Sequence, residues 1–198
     1  MSSTNRRSSV TRRSALVGLS AGGAGLALSL GKGVARASTG DLASHPIVGT
    51  WLTGRSAGDI DVTHWGPDGN MTVSGNLLST GPDGKVAFTN VPMGTWEPVS
   101  EYGIHFTMTG ANFDSTGAYT GTVVVDGYPV VSDDGTQFWD DGAKVMLTIR
   151  DATGAVVQTI GGDGSIPGIG GVRMAPGAAG YDELIALLAS KQSGTPTS

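Results

Sequence analysis

From residue 46 onward the chain is a series of short apolar–polar alternations cut by turn sequences, which predicts strands and argues against long helices. In 102–109, Ile104, Phe106 and Met108 fall on one side, with His105, Thr107 and Thr109 on the other. In 118–126, Val123 and Val125 oppose Thr122 and Val124. The punctuation comes from Gly66-Pro67-Asp68-Gly69, Gly81-Pro82-Asp83-Gly84, Asp114-Ser115-Thr116-Gly117, Ser132-Asp133-Asp134-Gly135 and Asp151-Ala152-Thr153-Gly154. In such turns Pro presets φ, Asp bonds its own backbone and Gly accepts positive φ. The strands so delimited are 48–54, 59–65, 70–75, 85–90, 93–99, 102–109, 118–126, 128–131, 137–150 in one or two pieces, and 155–160. Residues 161–171 read as a glycine-rich loop, and 181–190 as one short amphipathic helix with Leu184, Leu187 and Leu188 on a face. This spacing fits hairpins rather than βαβ units. The predicted fold is all-β: an antiparallel up-and-down β-barrel of about eight to ten strands with a short C-terminal helix, an open sandwich being the second choice.

Composition sharpens this picture at the N-terminus. Residues 1–37 hold six of the twelve Lys and Arg and no acid, leaving six cations against seventeen acids, a net charge of −11, in the remainder. So acidic a domain repels phosphate backbones and anionic head groups, and nucleic acid is not an expected partner. Thr11-Arg12-Arg13-Ser14-Ala15-Leu16 resembles the twin-arginine export motif and is followed by a weakly apolar, glycine-containing stretch to Leu30. Ala35-Arg36-Ala37 has small residues where a signal peptidase needs them, which predicts cleavage after Ala37. The stretch is too short and glycine-rich to serve as a stable membrane anchor. The expected plan is a signal peptide at 1–37, a flexible leader at 38–45, a barrel at 46–174, and a short helix with a disordered tail at 175–198. The expected destination is outside the cytoplasm, with the twin-arginine machinery and signal peptidase as transient partners. There is no cysteine, so an exported domain must hold together without disulfides.

Pro46-Ile47-Val48-Gly49-Thr50-Trp51 resembles the opening Gly-X-Trp signature of lipocalins and the wider calycin superfamily. That resemblance implies that Trp51 plugs the closed end of a barrel and that a late arginine packs across its indole. Gly49, Trp51 and Arg173 are the structural set it points to, Arg173 lying in Gly171-Val172-Arg173-Met174. Met93-Gly94-Thr95-Trp96-Glu97, the 104–108 stripe, Phe113-Asp114 and Tyr119-Thr120-Gly121-Thr122-Val123-Val124-Val125 are similar to a group of uncharacterised bacterial exported proteins with this barrel. The likeness spans roughly 46–174.

Candidate chemistry is sparse. Trp65, Phe88, Trp96, Phe106, Met108 and Trp139, with Phe113 and Phe138, are the expected lining of a cavity, or the filling of a solid barrel. His64 and His105 fall in strands and could reach one cavity, and His105 or Tyr102 in an apolar cavity could serve as a general acid. Glu97 alternates with Trp96, so a lumenal Trp96 puts Glu97 in solvent. A two-histidine metal site completed by Asp61, Glu97 or Glu101 has no supporting ligand spacing, so no metal is assigned. No nucleophile elbow, phosphate loop or dinucleotide turn is present, and no cofactor is expected.

Three functional readings follow. The first is an exported lipocalin-like protein binding a small apolar or amphipathic molecule in the barrel. The second is a cofactor-independent isomerase or cyclase, allene-oxide-cyclase-like or cycloaddition-promoting, that shapes its substrate in a dry cavity. The third is a structural or interaction protein with a solid barrel. The export reading is directly testable: Arg12→Lys together with Arg13→Lys is expected to hold the unprocessed precursor inside the cell, read as loss of the secreted form on an immunoblot.

Overall fold

A computed structural model describes residues 42–75, 78–80 and 86–192. The expected signal peptide, the predicted cut after Ala37, the leader up to residue 41, the turn at 81–84 and the tail from 193 lie outside the described residues. The strands are β1 (Gly49–Ser56), β2 (Asp59–Trp65), β3 (Asn70–Ser74), β4 (Leu78–Thr80), β5 (Val86–Thr89), β6 (Met93–Pro98), β7 (Ile104–Asp114), β8 (Tyr119–Gly127), β9 (Val130–Val131), β10 (Gln137–Asp140), β11 (Met146–Asp151), β12 (Val156–Gly161) and β13 (Ile169–Arg173). One helix, α1 (Tyr181–Gln192), follows them. Every pairing is antiparallel and all the strands belong to one sheet.

The sheet curls into a half-barrel, because only one end of it forms a hydrogen-bonded ring. Around that ring β1 pairs with β2, β2 with β3, β3 with β6, β6 with β7, β9 with β10, β10 with β13, and β13 with β1. The remaining seam lies between β7 and the continuous run β8–β9. Phe106 faces Gly127, and beyond the break at Pro129 Gly103 faces Val130 in the same register. Ile104 donates to Pro129 O at 3.1 Å, and Val131 to Tyr102 O at 2.9 Å. Away from this end the sheet opens, since the first part of β8 pairs with β11, β11 with β12, and β4–β5 joins the far end of β7.

Side-chain alternation divides the apolar residues between two faces. Ile47, Trp51, Trp65, Met71, Trp96, Ile104, Phe106, Val131 and Phe138 form the interior cluster. Leu52 and Val172, on the outer face of β1 and β13, pack with Leu184, Leu187 and Leu188 of α1. The predicted helix face is therefore buried, against the outside of the wall. Strand β13 departs from the expected loop. A Cβ on Gly171 would lie 2.2 Å from the Phe138 ring, which would have to move, and one on Gly170 would lie 3.0 Å from Leu187, so both faces of β13 are tightly covered.

The closed end is built on Arg173. Its guanidinium lies 4.4 Å from the Trp51 ring. Its Nε donates to Gly135 O at 2.7 Å and its Nη1 to Val48 O at 2.8 Å, while Nη2 donates to Pro46 O. Trp51 Nε1 in turn donates to Ile47 O at 2.7 Å. Gly49 sits beneath the guanidinium with φ of 141°, and a Cβ there would fall 2.6 Å from Nη1. Both a strained backbone and a steric clash therefore oppose any side chain at 49. The start of the chain's described part is ordered on this end: Leu42–Ser44 form a 3-10 turn and Leu42 packs against the interior cluster, in place of the expected flexible leader.

Gly49→Ala is expected to lower stability by about 1–3 kcal/mol through strain and displacement of the guanidinium. Arg173→Lys, which cannot present the same planar fork to three carbonyls and an indole, is expected to cost a similar amount. Urea unfolding followed by tryptophan fluorescence measures both.

Candidate functional site

The interior of the ring is filled rather than hollow at its closed end. Trp65, Trp96 and Phe106 are buried together there, with Met108 packed against them. Trp65 meets Phe106 at 5.5 Å and Phe138 at 6.5 Å in edge-on contacts, and Trp51 meets Phe138 at 5.2 Å. Trp96 Nε1 donates to Gly66 O at 3.0 Å, while Trp65 Nε1 is buried without a partner. Thr53 and Thr63 are the buried hydroxyls beside this cluster, 3.1 Å apart. Two of the expected lining residues lie elsewhere. Phe88 is 43% exposed on β5, outside the ring, and Trp139 lies on the outer face, packed against the helix cluster. Phe138 takes the interior position, because adjacent strand residues point to opposite faces.

His64, His105 and Tyr102 are not lumenal. Ile104 and Phe106 fill the interior, so His105 between them faces outward, where Glu97 flanks it on β6 and Asp126 on β8. Its Nδ1 is 3.5 Å from Glu97 Oε1 and its Nε2 is 3.5 Å from Asp126 Oδ1. Its ring stacks on Tyr128 at 4.7 Å with planes 13° apart. His64, between buried Thr63 and Trp65, is exposed and meets Thr50 Oγ1 at 3.1 Å. His64 and His105 thus share no cavity. Tyr102 lines a surface depression with Leu42 and His45, and the neighbouring Glu101 carboxylate raises its phenol above the ordinary value. None of the three stands as a general acid in a dry lumen. Among the described residues, no cluster of three His, Cys, Asp or Glu side chains could hold a metal ion.

The structure instead assembles a groove on the outer surface, at the seam where β8 runs into β9. It has a volume of about 470 Å³, and its walls include Tyr128, Val130, Trp139, Lys144, Leu187 and Lys191. Of these, the sequence pattern points only to Trp139 as a ligand contact. The buried Asp140 carboxylate fixes the groove from behind: Oδ2 accepts the Tyr128 N–H at 2.6 Å, and Oδ1 accepts the Gly142 N–H at 3.0 Å. That pair of bonds ties the β8–β9 break to the loop after β10 and sets Tyr128 beside Trp139. Lys144 Nζ lies 5.7 Å from the Tyr128 centroid, and Lys191 Nζ lies 5.8 Å from that of Trp139. Asp141, also on the wall, turns Oδ1 to the Ala143 N–H at 2.9 Å. The groove and the His105 cluster meet through the Tyr128 ring.

One histidine does carry a structural charge constraint. His45 Nδ1 accepts the Ile47 N–H at 3.1 Å, and Nε2 lies 3.3 Å from Ser100 O. Only the neutral tautomer with hydrogen on Nε2 satisfies both. Burial against Trp96 lowers its pKa from 6.5, outweighing the carbonyl contacts that raise it. The unfolded chain then binds the extra proton first. Stability is expected to fall as pH drops through about 6.5 and to level off below the lower folded value. The loop carboxylates Asp68, Asp114, Asp134, Asp151 and Asp163 are held below the ordinary carboxylate range by hydrogen bonds to their own turns, so their losses come at more acid pH. His45→Gln is expected to remove the step near 6.5 in urea midpoints measured between pH 5 and 8. No protein-family model, curated protein or solved structure matches this chain.

Proposed function

We propose that this chain is an exported small-molecule-binding protein, with a lipocalin-like half-barrel as scaffold and its ligand seated in the outer groove between β9–β10 and α1. The groove itself is the observation that carries the reading. It offers aromatic and aliphatic wall on a frame fixed by Asp140, and its volume falls within the roughly 300–1,000 Å³ of small-ligand sites. The filled interior supports this location over a lumenal one, since three tryptophans already occupy the closed end. The Gly49–Trp51–Arg173 arrangement supports the lipocalin-like reading of the scaffold. The twin-arginine pattern of residues 11–16 and the cleavage sequence at 35–37 support export. A solid-barrel structural protein is the second reading, favoured by the same filled interior.

Native mass spectrometry of the secreted protein is expected to show one small molecule per chain. Val130 is 54% exposed on the groove wall, so Val130→Trp fills the groove without entering the core. That variant is expected to lose the bound molecule while its unfolding free energy from urea titration stays within about 0.5 kcal/mol of the parent. Retention of the molecule by Val130→Trp would place the ligand elsewhere. A protein that carries no molecule and takes up no apolar probe would leave the structural reading in its place.

A further inference from the structure

The two lysines on the groove narrow the class of ligand. Outside residues 1–37 the chain has only six cations. Arg55 pairs with Asp59, Arg150 donates to Gly154 O, and Arg173 is committed to the closed end. Lys144, from the loop after β10, and Lys191, from the last turn of α1, converge on one groove although they are far apart in the chain. Neither makes an ion pair among the described residues; each stands over an aromatic ring. An ammonium has three N–H donors, and a ring face at this distance compensates its charge without satisfying them. Asp141, the carboxylate on the same wall, accepts the Ala143 N–H of its own turn and forms no ion pair with either lysine among the described residues. The rest of the wall includes Val130, Leu187, Tyr128 and Trp139, with Ser132 and Gln137 as its uncharged polar members.

Resting on the small-molecule reading above, we infer that the groove binds an amphiphile with one anionic head group, its apolar body on Trp139, Val130 and Leu187 and its head between Lys144 and Lys191. Outside residues 1–37 the net charge is −11, so the surface as a whole repels an anion and a recess carrying two lysines stands out from it. Two lysines brought together over aromatic faces create a local exception to that field.

Calorimetric titration of the mature protein with decanoate, decanol and decyltrimethylammonium, each below its micelle concentration, tests the inference. Decanoate is expected to bind at least about tenfold more tightly than decanol, and the cation not to bind. Lys144→Gln with Lys191→Gln is expected to bring decanoate down to the level of decanol while leaving decanol unchanged. Equal binding of decanoate and decanol, or a preference for decanoate that survives the double substitution, would overturn the anionic class and leave the groove standing. Failure of all three probes, with no molecule retained on purification, would remove the binding reading itself.

Discussion

The guanidinium of Arg173 against the indole of Trp51 joins the two ends of the folded chain, and much of the architecture follows from where that contact sits. It links β1, the first strand, to β13, the last, across more than a hundred residues of sequence, and gathers the carbonyls of Pro46, Val48 and Gly135 onto one planar cation. A guanidinium without a carboxylate partner among the described residues is tolerable here because each of its three nitrogens donates to a carbonyl and the ring face compensates the charge. With no disulfide available, this contact supplies a cross-link between distant strands. Once β1 and β13 are fixed side by side, Trp51 must point inward. Leu52 and Val172 must then point out, which leaves an apolar strip that α1 covers.

That parity decides what the molecule can do. Inward placement of Trp51, Trp65, Trp96, Phe106 and Phe138 uses up the space at the closed end, so the proposed binding site lies on the outside of the wall. The seam between β7 and β8–β9 is the natural place for it. Pro129 cannot donate to the ladder and interrupts the strand there, so the backbone on either side needs other partners. Asp140 supplies one of them at Tyr128, and the same interaction orients the aromatic wall of the groove.

Much of the fold is legible in the sequence because turn chemistry is local. β2 runs over the predicted residues, and β3, β5, β6, β8 and β12 lie within a residue or two of their expected bounds. Two strands escape. β4 is three residues long, and β13 carries adjacent glycines that read as loop. In β13 those glycines reflect crowding by Phe138 on one side and Leu187 and Leu188 on the other, a tertiary demand that no local pattern encodes. The alternation in 102–109 correctly groups Ile104, Phe106 and Met108, but alternation alone cannot say which of two packed layers receives a face. The same ambiguity puts Trp139 in the lumen. Phe138 and Trp139 are neighbours, only one of them can face inward, and the choice is made by Gly171 on the facing strand and by the helix outside.

The groove is the least legible feature, for a physical reason. Its walls come from a strand break, a loop and a helix terminus, and no two of these are coupled by spacing in the chain. Lys144 and Lys191 look like ordinary solvated cations until the fold sets them over Tyr128 and Trp139. What the sequence does hold is the scarcity that gives them meaning. In a domain with so few basic residues, two lysines that share one recess with Trp139, Tyr128 and Val130 and lack carboxylate partners among the described residues are unlike the general surface. Charge scarcity is a property of composition alone, and it becomes specificity only when the barrel seam and the helix bring those charges together.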